Sequence, residues 1–122
     1  MKSVLVIDDE KQIVELLEFV LEKNGYKVIT AANGAFGFRK YKELEPDLVI
    51  VDIFMPKKNG METIDDIMDI NNDCKIIAIS GGGRIINMDE KIKRLKELGV
   101  SFLSKPFEED ELISLVNEVL DK

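Results

Sequence analysis

Short apolar runs alternate along the chain with longer segments in which apolar residues recur every three or four positions. The short runs are typical of buried strands, and the longer spacing is typical of helices with one face in a core. The predicted strands are Val4–Ile7, Tyr26–Thr30, Leu48–Val51, Lys75–Ile79 and Val100–Leu103. The pattern therefore predicts five strands, each followed by a helix.

The predicted helices begin and end at recognisable signals. The first ends at Asn24-Gly25, the second runs from about Ala35 to Leu44, the third begins near Gly60, the fourth has Asp89 as its N-cap, and the fifth follows the acidic turn Glu108-Glu109-Asp110. Asn and Gly are common at helix ends, and acidic residues favour helix N-termini. With no break in composition, the alternation predicts one α/β domain over residues 1–122, with a doubly wound five-stranded parallel sheet and five helices.

Composition and charge exclude several classes of function. The 122 residues carry a net charge of −7, which argues against binding nucleic acid or an anionic membrane surface. The chain has no histidine and one cysteine, Cys74, which excludes a histidine-based triad, a histidine-ligated zinc and a cysteine-rich metal site. Its longest apolar runs are four residues, too short to span a membrane. We expect a soluble protein of the cytoplasm.

Polar side chains follow the predicted strands at their carboxyl ends, where ligands bind in sheets of this class. Asp8 and Asp9 follow the first strand, and Asp52 follows the third. Ser80 follows the fourth strand, and Lys105 follows the fifth. Carboxylates packed together repel each other unless a cation lies among them, and oxygen ligands without histidine or cysteine suit Mg²⁺. The sequence therefore predicts a magnesium site at this edge.

Phosphate-binding loops of the common kinds are missing at the predicted strand ends. The turn after the first strand is acidic and has no glycine-rich segment, which argues against a nucleotide or flavin site. Gly81-Gly82-Gly83 follows the fourth strand without the lysine and hydroxyl spacing of a P-loop. The glycine triplet is more typical of a loop that other groups approach closely than of a loop that binds phosphate.

Taken together, these motifs resemble the receiver domain of bacterial two-component response regulators, which has the (βα)5 flavodoxin-like fold of the chemotaxis regulators. The resemblance covers essentially the whole chain and rests on Val4–Glu10, Asp52–Pro56 with Gly60, Ser80, and Phe102–Phe107. It implies a signalling domain that accepts a phosphoryl group from a phosphohistidine on a sensor histidine kinase or a histidine phosphotransfer protein. Phosphorylation then alters the surface that binds a downstream protein.

The resemblance implies a phosphoacceptor and a set of metal ligands. Asp52 is the implied phosphoacceptor. Asp9 is implied to bind Mg²⁺ directly, together with Asp52 and the backbone carbonyl of Phe54, while Asp8 acts mostly through metal-bound water. Because the aspartate is already an anionic nucleophile, the chemistry needs no general base.

Further roles in binding and switching are implied by the same resemblance. Ser80 and Lys105 are implied to contact phosphoryl oxygens, and the Lys105–Pro106 peptide bond is implied to be cis. Ser80 moves toward the phosphoryl group, and the ring of Phe102 rotates into the space it leaves. Gly81 begins the loop that follows Ser80.

Two other classes of function remain open at this stage. A Mg²⁺-dependent phosphohydrolase would use Asp52 as a covalent nucleophile, but Phe54 supplies no second acid two positions later. A receiver-like adaptor that is never phosphorylated is disfavoured by the complete set of acidic, hydroxyl and lysine residues. The segment from Ser80 to Lys105 is longer than is usual in the family. The surface that binds the downstream protein therefore stays undecided at this stage. A stand-alone receiver and a fragment of a longer regulator are both compatible with the chain, and Met1 favours the former.

Overall fold

A computed structural model describes residues 1–53, 59–81 and 88–121. Five strands alternate with five helices: β1 Ser3–Ile7, α1 Lys11–Lys23, β2 Lys27–Ala31, α2 Gly34–Leu44, β3 Leu48–Asp52, α3 Gly60–Ile70, β4 Ile76–Gly81, α4 Met88–Glu97, β5 Ser101–Lys105 and α5 Glu109–Leu120. The strands form one parallel sheet in the order β2-β1-β3-β4-β5. This confirms the predicted doubly wound five-stranded sheet.

Both faces of the sheet are covered, which explains why its strands are almost continuously apolar. One face packs against α1 and α5, with Val4 and Val6 of β1 in that core. The other packs against α2, α3 and α4, and Leu5 and Ile7 of β1 belong to that second core. All five residues of β3 are buried, as expected of the central strand. Alternation along each strand therefore assigns neighbouring residues to opposite faces.

Local signals set several helix boundaries. The side chain of Asn33 accepts a hydrogen bond from the N–H of Phe36 at 2.9 Å and caps α2. Asn59 caps α3 in the same way through the N–H of Glu62, also at 2.9 Å. Gly25, just after α1, has a φ of +90°, which a side chain would disfavour. The predicted stop at Asn24-Gly25 is therefore where the helix ends.

The predicted N-cap of the fourth helix is wrong. The helix begins at Met88, so Asp89 lies within its first turn. An aspartate stabilises a helix N-terminus both as a cap and in the first turn, so its identity alone does not fix the boundary. The fifth helix begins at Glu109, so Glu108 is its N-cap and the other two residues of the predicted acidic turn lie in its first turn. The carboxylate of Glu111 accepts a hydrogen bond from the Glu108 N–H at 3.0 Å.

Four strands extend beyond their predicted ends, β2 and β3 by one residue each, to Ala31 and Asp52, and β4 and β5 by two residues each. The structure continues β4 through Ser80 to Gly81 and β5 through Ser104 to Lys105, and these residues pair across the two strands. Polar residues interrupted the apolar pattern there, but the backbone ladder does not depend on side-chain polarity. Positions 54–58 and 82–87, which include Phe54, Gly82 and Gly83, lie outside the described residues. Within the described ranges, no helix is both long and apolar enough to cross a membrane.

Candidate functional site

Strand order and register bring three predicted site residues together at the carboxyl edge of the sheet. β1 lies beside β3 with Ile7 opposite Val51, so Asp8 comes next to Asp52. Lys105 is the last residue of β5, two strands from β3. Alternation assigns all three to the face that packs against α1 and α5. Convergence of one lysine and two aspartates therefore follows from the topology.

The ammonium group of Lys105 contacts three carboxylates. Its Nζ lies 3.2 Å from Asp8 Oδ2, 3.1 Å from Asp52 Oδ2 and 3.1 Å from Glu10 Oε1. The side chain of Asp8 is 0% exposed, that of Asp52 is 3% exposed, and that of Lys105 is 10% exposed. Ion pairs this sheltered are screened less by salt than exposed ones. An ammonium has three N–H donors, so these contacts account for all of them.

The carboxylates form a cluster suited to a hard cation. One oxygen from each of Asp8, Glu10 and Asp52 can be chosen so that all three lie within 4.8 Å of one another. Together with Lys105, these side chains carry a formal excess of negative charge. The donor set is entirely oxygen, which Mg²⁺ prefers, and a divalent cation offsets the excess charge.

Glu10 joins this cluster although the sequence pattern assigns it no role. The side chain of Asp8 accepts a hydrogen bond from the Glu10 N–H at 2.9 Å, which forms a local turn between β1 and α1. Aspartate commonly accepts a hydrogen bond from the backbone N–H two residues later, so Asp8 at the end of a predicted strand is a signal for this turn. Asp9, the predicted direct ligand, is exposed and is not among the three clustered acids. The predicted carbonyl ligand, Phe54, lies outside the described residues.

Burial and charge shift two pKa values at this site. Burial raises the pKa of Asp8, the hydrogen bond from the Glu10 N–H opposes that rise, and the Asp52 charge adds to it. Burial alone would lower the pKa of Lys105, but the charges of Asp52 and Asp8 outweigh burial and raise it. Both directions agree with an excess of negative charge at the strand ends.

Substitution of Asp8 by Asn is expected to stabilise the metal-free protein at neutral pH. Because the pKa of Asp8 is raised above its usual value near 3.8, ionising it costs folding free energy. That cost is absent below the usual value and grows as the pH rises through the folded value. Denaturant unfolding should show a gain of about 0.5–2 kcal/mol at pH 7 that disappears near pH 3. A loss of stability in Asp8→Asn at pH 7 would mean that the ion pair with Lys105 stabilises the fold by more than the burial of the Asp8 charge costs.

Residues predicted to bind phosphoryl oxygens or to switch lie on neighbouring strands. Ser80 of β4 is fully buried, and Phe102 of β5 is half-buried against the core under α2, α3 and α4. The register pairs Ala78 with Phe102 and Ser80 with Ser104, so Ser80 and Phe102 share that face. Gly81 is paired with Lys105. The peptide bond between Lys105 and Pro106 is cis.

Comparison with known proteins identifies the family. The model of the response regulator receiver domain matches residues 4–117. The chemotaxis protein CheY of Thermotoga maritima is 38% identical over 119 residues, covering 97% of both chains. A crystal structure of a response regulator receiver domain protein from Clostridium thermocellum superposes with a TM-score of 0.89 at 32% identity, covering 99% of this chain and 95% of that one. The chain belongs to the response regulator receiver domain family of two-component systems.

Relatives within the family differ in their length. The transcriptional regulatory protein PhoP of Bacillus subtilis, which is named for alkaline phosphatase synthesis, is 33% identical over 122 residues. The match covers 98% of this chain but only 48% of that protein. Receiver domains as a family bind Mg²⁺, and they interact with histidine kinases or phosphotransfer proteins and with downstream targets.

Proposed function

We propose that Asp52 accepts a phosphoryl group from the phosphohistidine of a sensor histidine kinase or a histidine phosphotransfer protein. One observation carries this proposal: the buried Asp52 carboxylate lies 3.1 Å from the Lys105 ammonium, at the carboxyl edge of the sheet and within a cluster of acidic oxygens. Phosphohistidine is made from ATP, so the exchange takes place in the cytoplasm. In the proposal the domain spans residues 1–122. After it is phosphorylated, it acts by binding a downstream protein.

Transfer forms a bond between an Asp52 carboxylate oxygen and phosphorus and breaks the bond between phosphorus and the donor nitrogen. The electron pair of that bond stays on the imidazole, whose other ring nitrogen carries a proton, so the histidine leaves as the neutral base. A carboxylate needs no general base, and the loose transition state needs chiefly alignment and neutralisation of the phosphoryl oxygens. Lys105 supplies one positive charge for those oxygens, and the hydroxyl of Ser80 supplies a hydrogen bond.

The acidic oxygens fit Mg²⁺, as the cluster of Asp8, Glu10 and Asp52 indicates. In the proposal Asp9, Asp52 and the backbone carbonyl of Phe54 would hold the ion directly, and Asp8 would act mainly through metal-bound water. Mg²⁺ supplies neutralisation of charge on the phosphoryl oxygens when it is bound. Asp52 attacks as an anion, and a cation held there would reduce the mutual repulsion of the carboxylates.

Signal output follows from the position of Ser80 and Phe102 on one face of the sheet. In the proposal Ser80 moves toward the phosphoryl group, and the ring of Phe102 turns inward behind it. Support comes from their shared face and from the half-buried state of Phe102. Gly81, next to Ser80, adds no side chain that would oppose this movement. The charge added at Asp52 biases an element that has two arrangements.

Exposure of the purified protein to a small phosphodonor tests this function. With Mg²⁺ present, intact-protein mass spectrometry should show one phosphoryl group per chain, and a chelator should prevent the uptake. The added group should be labile to hydroxylamine, as acyl phosphates are and serine phosphates are not. Absence of uptake at saturating Mg²⁺ would favour the adaptor that binds partners without being phosphorylated.

We propose further that this domain is not an enzyme acting on a free substrate. A phosphohydrolase would use the same aspartate but would release phosphate over many cycles. A small phosphate ester should therefore release no more than about one equivalent of inorganic phosphate per chain during a long incubation with Mg²⁺. Sustained release of many equivalents from the ester would establish the phosphohydrolase instead.

A further inference from the structure

Glu10 occupies the N-cap position of α1 but does not use its side chain to cap the helix. Its backbone carbonyl accepts hydrogen bonds from the N–H groups of Ile13 and Val14, both at 3.0 Å, while its side chain makes no capping bond. Short polar side chains are preferred at N-caps because they reach the helix N–H groups. The longer carboxylate of Glu10 instead lies 3.1 Å from Lys105 Nζ.

The three carboxylates around Lys105 differ in how easily each can give up its contact. Asp8 is buried and Asp52 is the proposed acceptor, whereas the side chain of Glu10 is 59% exposed. Since the ammonium has three N–H donors and contacts three carboxylates, binding a phosphoryl oxygen requires the exchange of one contact. Water can take over the hydrogen bonding of an exposed carboxylate at low cost, so Glu10 is the group to be displaced.

We propose that Glu10 is a positioning residue that holds Lys105 in the resting state and competes with the incoming phosphoryl group for it. The inference rests on the proposed function of Asp52. Glu10 also places a negative charge at the rim of the site, where it opposes donors with the highest negative charge. Glu10 thus slows phosphorylation by small anionic donors and favours donors that carry less negative charge.

Neutralisation of Glu10 at constant shape tests the inference. Glu10→Gln should raise the phosphorylation rate from acetyl phosphate, a dianion at neutral pH, by about two- to fivefold, the range expected for one exposed ion pair. The gain should be smaller with phosphoramidate, which carries less net negative charge. Mg²⁺ is kept saturating for each variant, and thermal melting verifies that each is folded. Glu15→Gln removes an exposed charge of the same kind from α1 and should leave both rates unchanged.

A second readout does not depend on turnover. Beryllofluoride, an anionic phosphoryl analogue, should bind Glu10→Gln about two- to fivefold more tightly than wild type at saturating Mg²⁺. Equal or slower phosphorylation in Glu10→Gln, with unchanged beryllofluoride affinity, would overturn the inference while leaving the proposed function intact. An equal gain in Glu15→Gln would also overturn it, since net charge alone would then explain the effect. A wild type that takes up no phosphoryl group refutes the proposed function and this inference together.

Discussion

Asp52→Asn should reduce phosphoryl uptake from one group per chain to none. Asparagine has nearly the same shape as aspartate, but its amide oxygen is not an anionic nucleophile and does not form a stable acyl phosphate. The substitution also removes one of two buried negative charges near Lys105, so the variant should melt at or above the wild-type temperature. Intact-protein mass spectrometry after incubation with a phosphodonor and Mg²⁺ gives the result directly.

Asp69→Asn is a matched control, because Asp69 is an exposed acid in the last turn of α3 and does not belong to the cluster of Asp8, Glu10 and Asp52. It should take up one phosphoryl group at the wild-type rate. Stabilisation by Mg²⁺ is a further control, since a ligand at one hundred times its Kd adds about 2.7 kcal/mol to the free energy of unfolding. Asp52→Asn should lose much of that gain. Undiminished uptake in Asp52→Asn would mean that another residue is the acceptor.

The architecture could be predicted because a parallel sheet buried on both faces leaves a strong imprint on sequence. Val4–Ile7 and Leu48–Val51 are apolar without interruption, and each is followed by helical spacing. The ends of strands and helices are harder to predict, because they depend on backbone pairing and on signals that several residue types share. Ser80 and Lys105 lie inside strands for the first reason, and Asp89 lies within a helix for the second.

The site could be predicted in part for a related reason. Asp8, Asp52 and Lys105 converge because parallel strands all end at one edge, a rule that needs no knowledge of side-chain conformation. The contact of Lys105 with Glu10 depends on how the chain turns after Asp8, and strand periodicity does not describe that turn. Which acids gather around a lysine is therefore a property of the turn as much as of the strand.

A glycine contact holds the end of β3, and its loss is expected to have the largest effect on stability. Gly60 begins α3, and its N–H donates to the Ile53 carbonyl at 3.3 Å. A Cβ at this position would overlap the carbonyl oxygen of Asp52 and lie 2.5 Å from Ile53 Cα. These are backbone atoms of a segment held in the sheet, where the Ile53 N–H donates to the Ile79 carbonyl at 3.0 Å.

Gly60→Ala should therefore lower the free energy of unfolding by about 3 kcal/mol, although alanine ordinarily favours helices. The same shift displaces Asp52, so phosphoryl uptake should slow as well. Gly37→Ala is the matched control, because the three atoms nearest to a Cβ there all belong to the side chain of Ile7, with Cγ1 at 2.7 Å. A side chain can turn where a backbone cannot, so the cost there should be about 1–2 kcal/mol, with uptake unchanged. Denaturant unfolding of both variants measures the difference, and a Gly60→Ala protein as stable as wild type would show that β3 and α3 separate more easily than their packing implies.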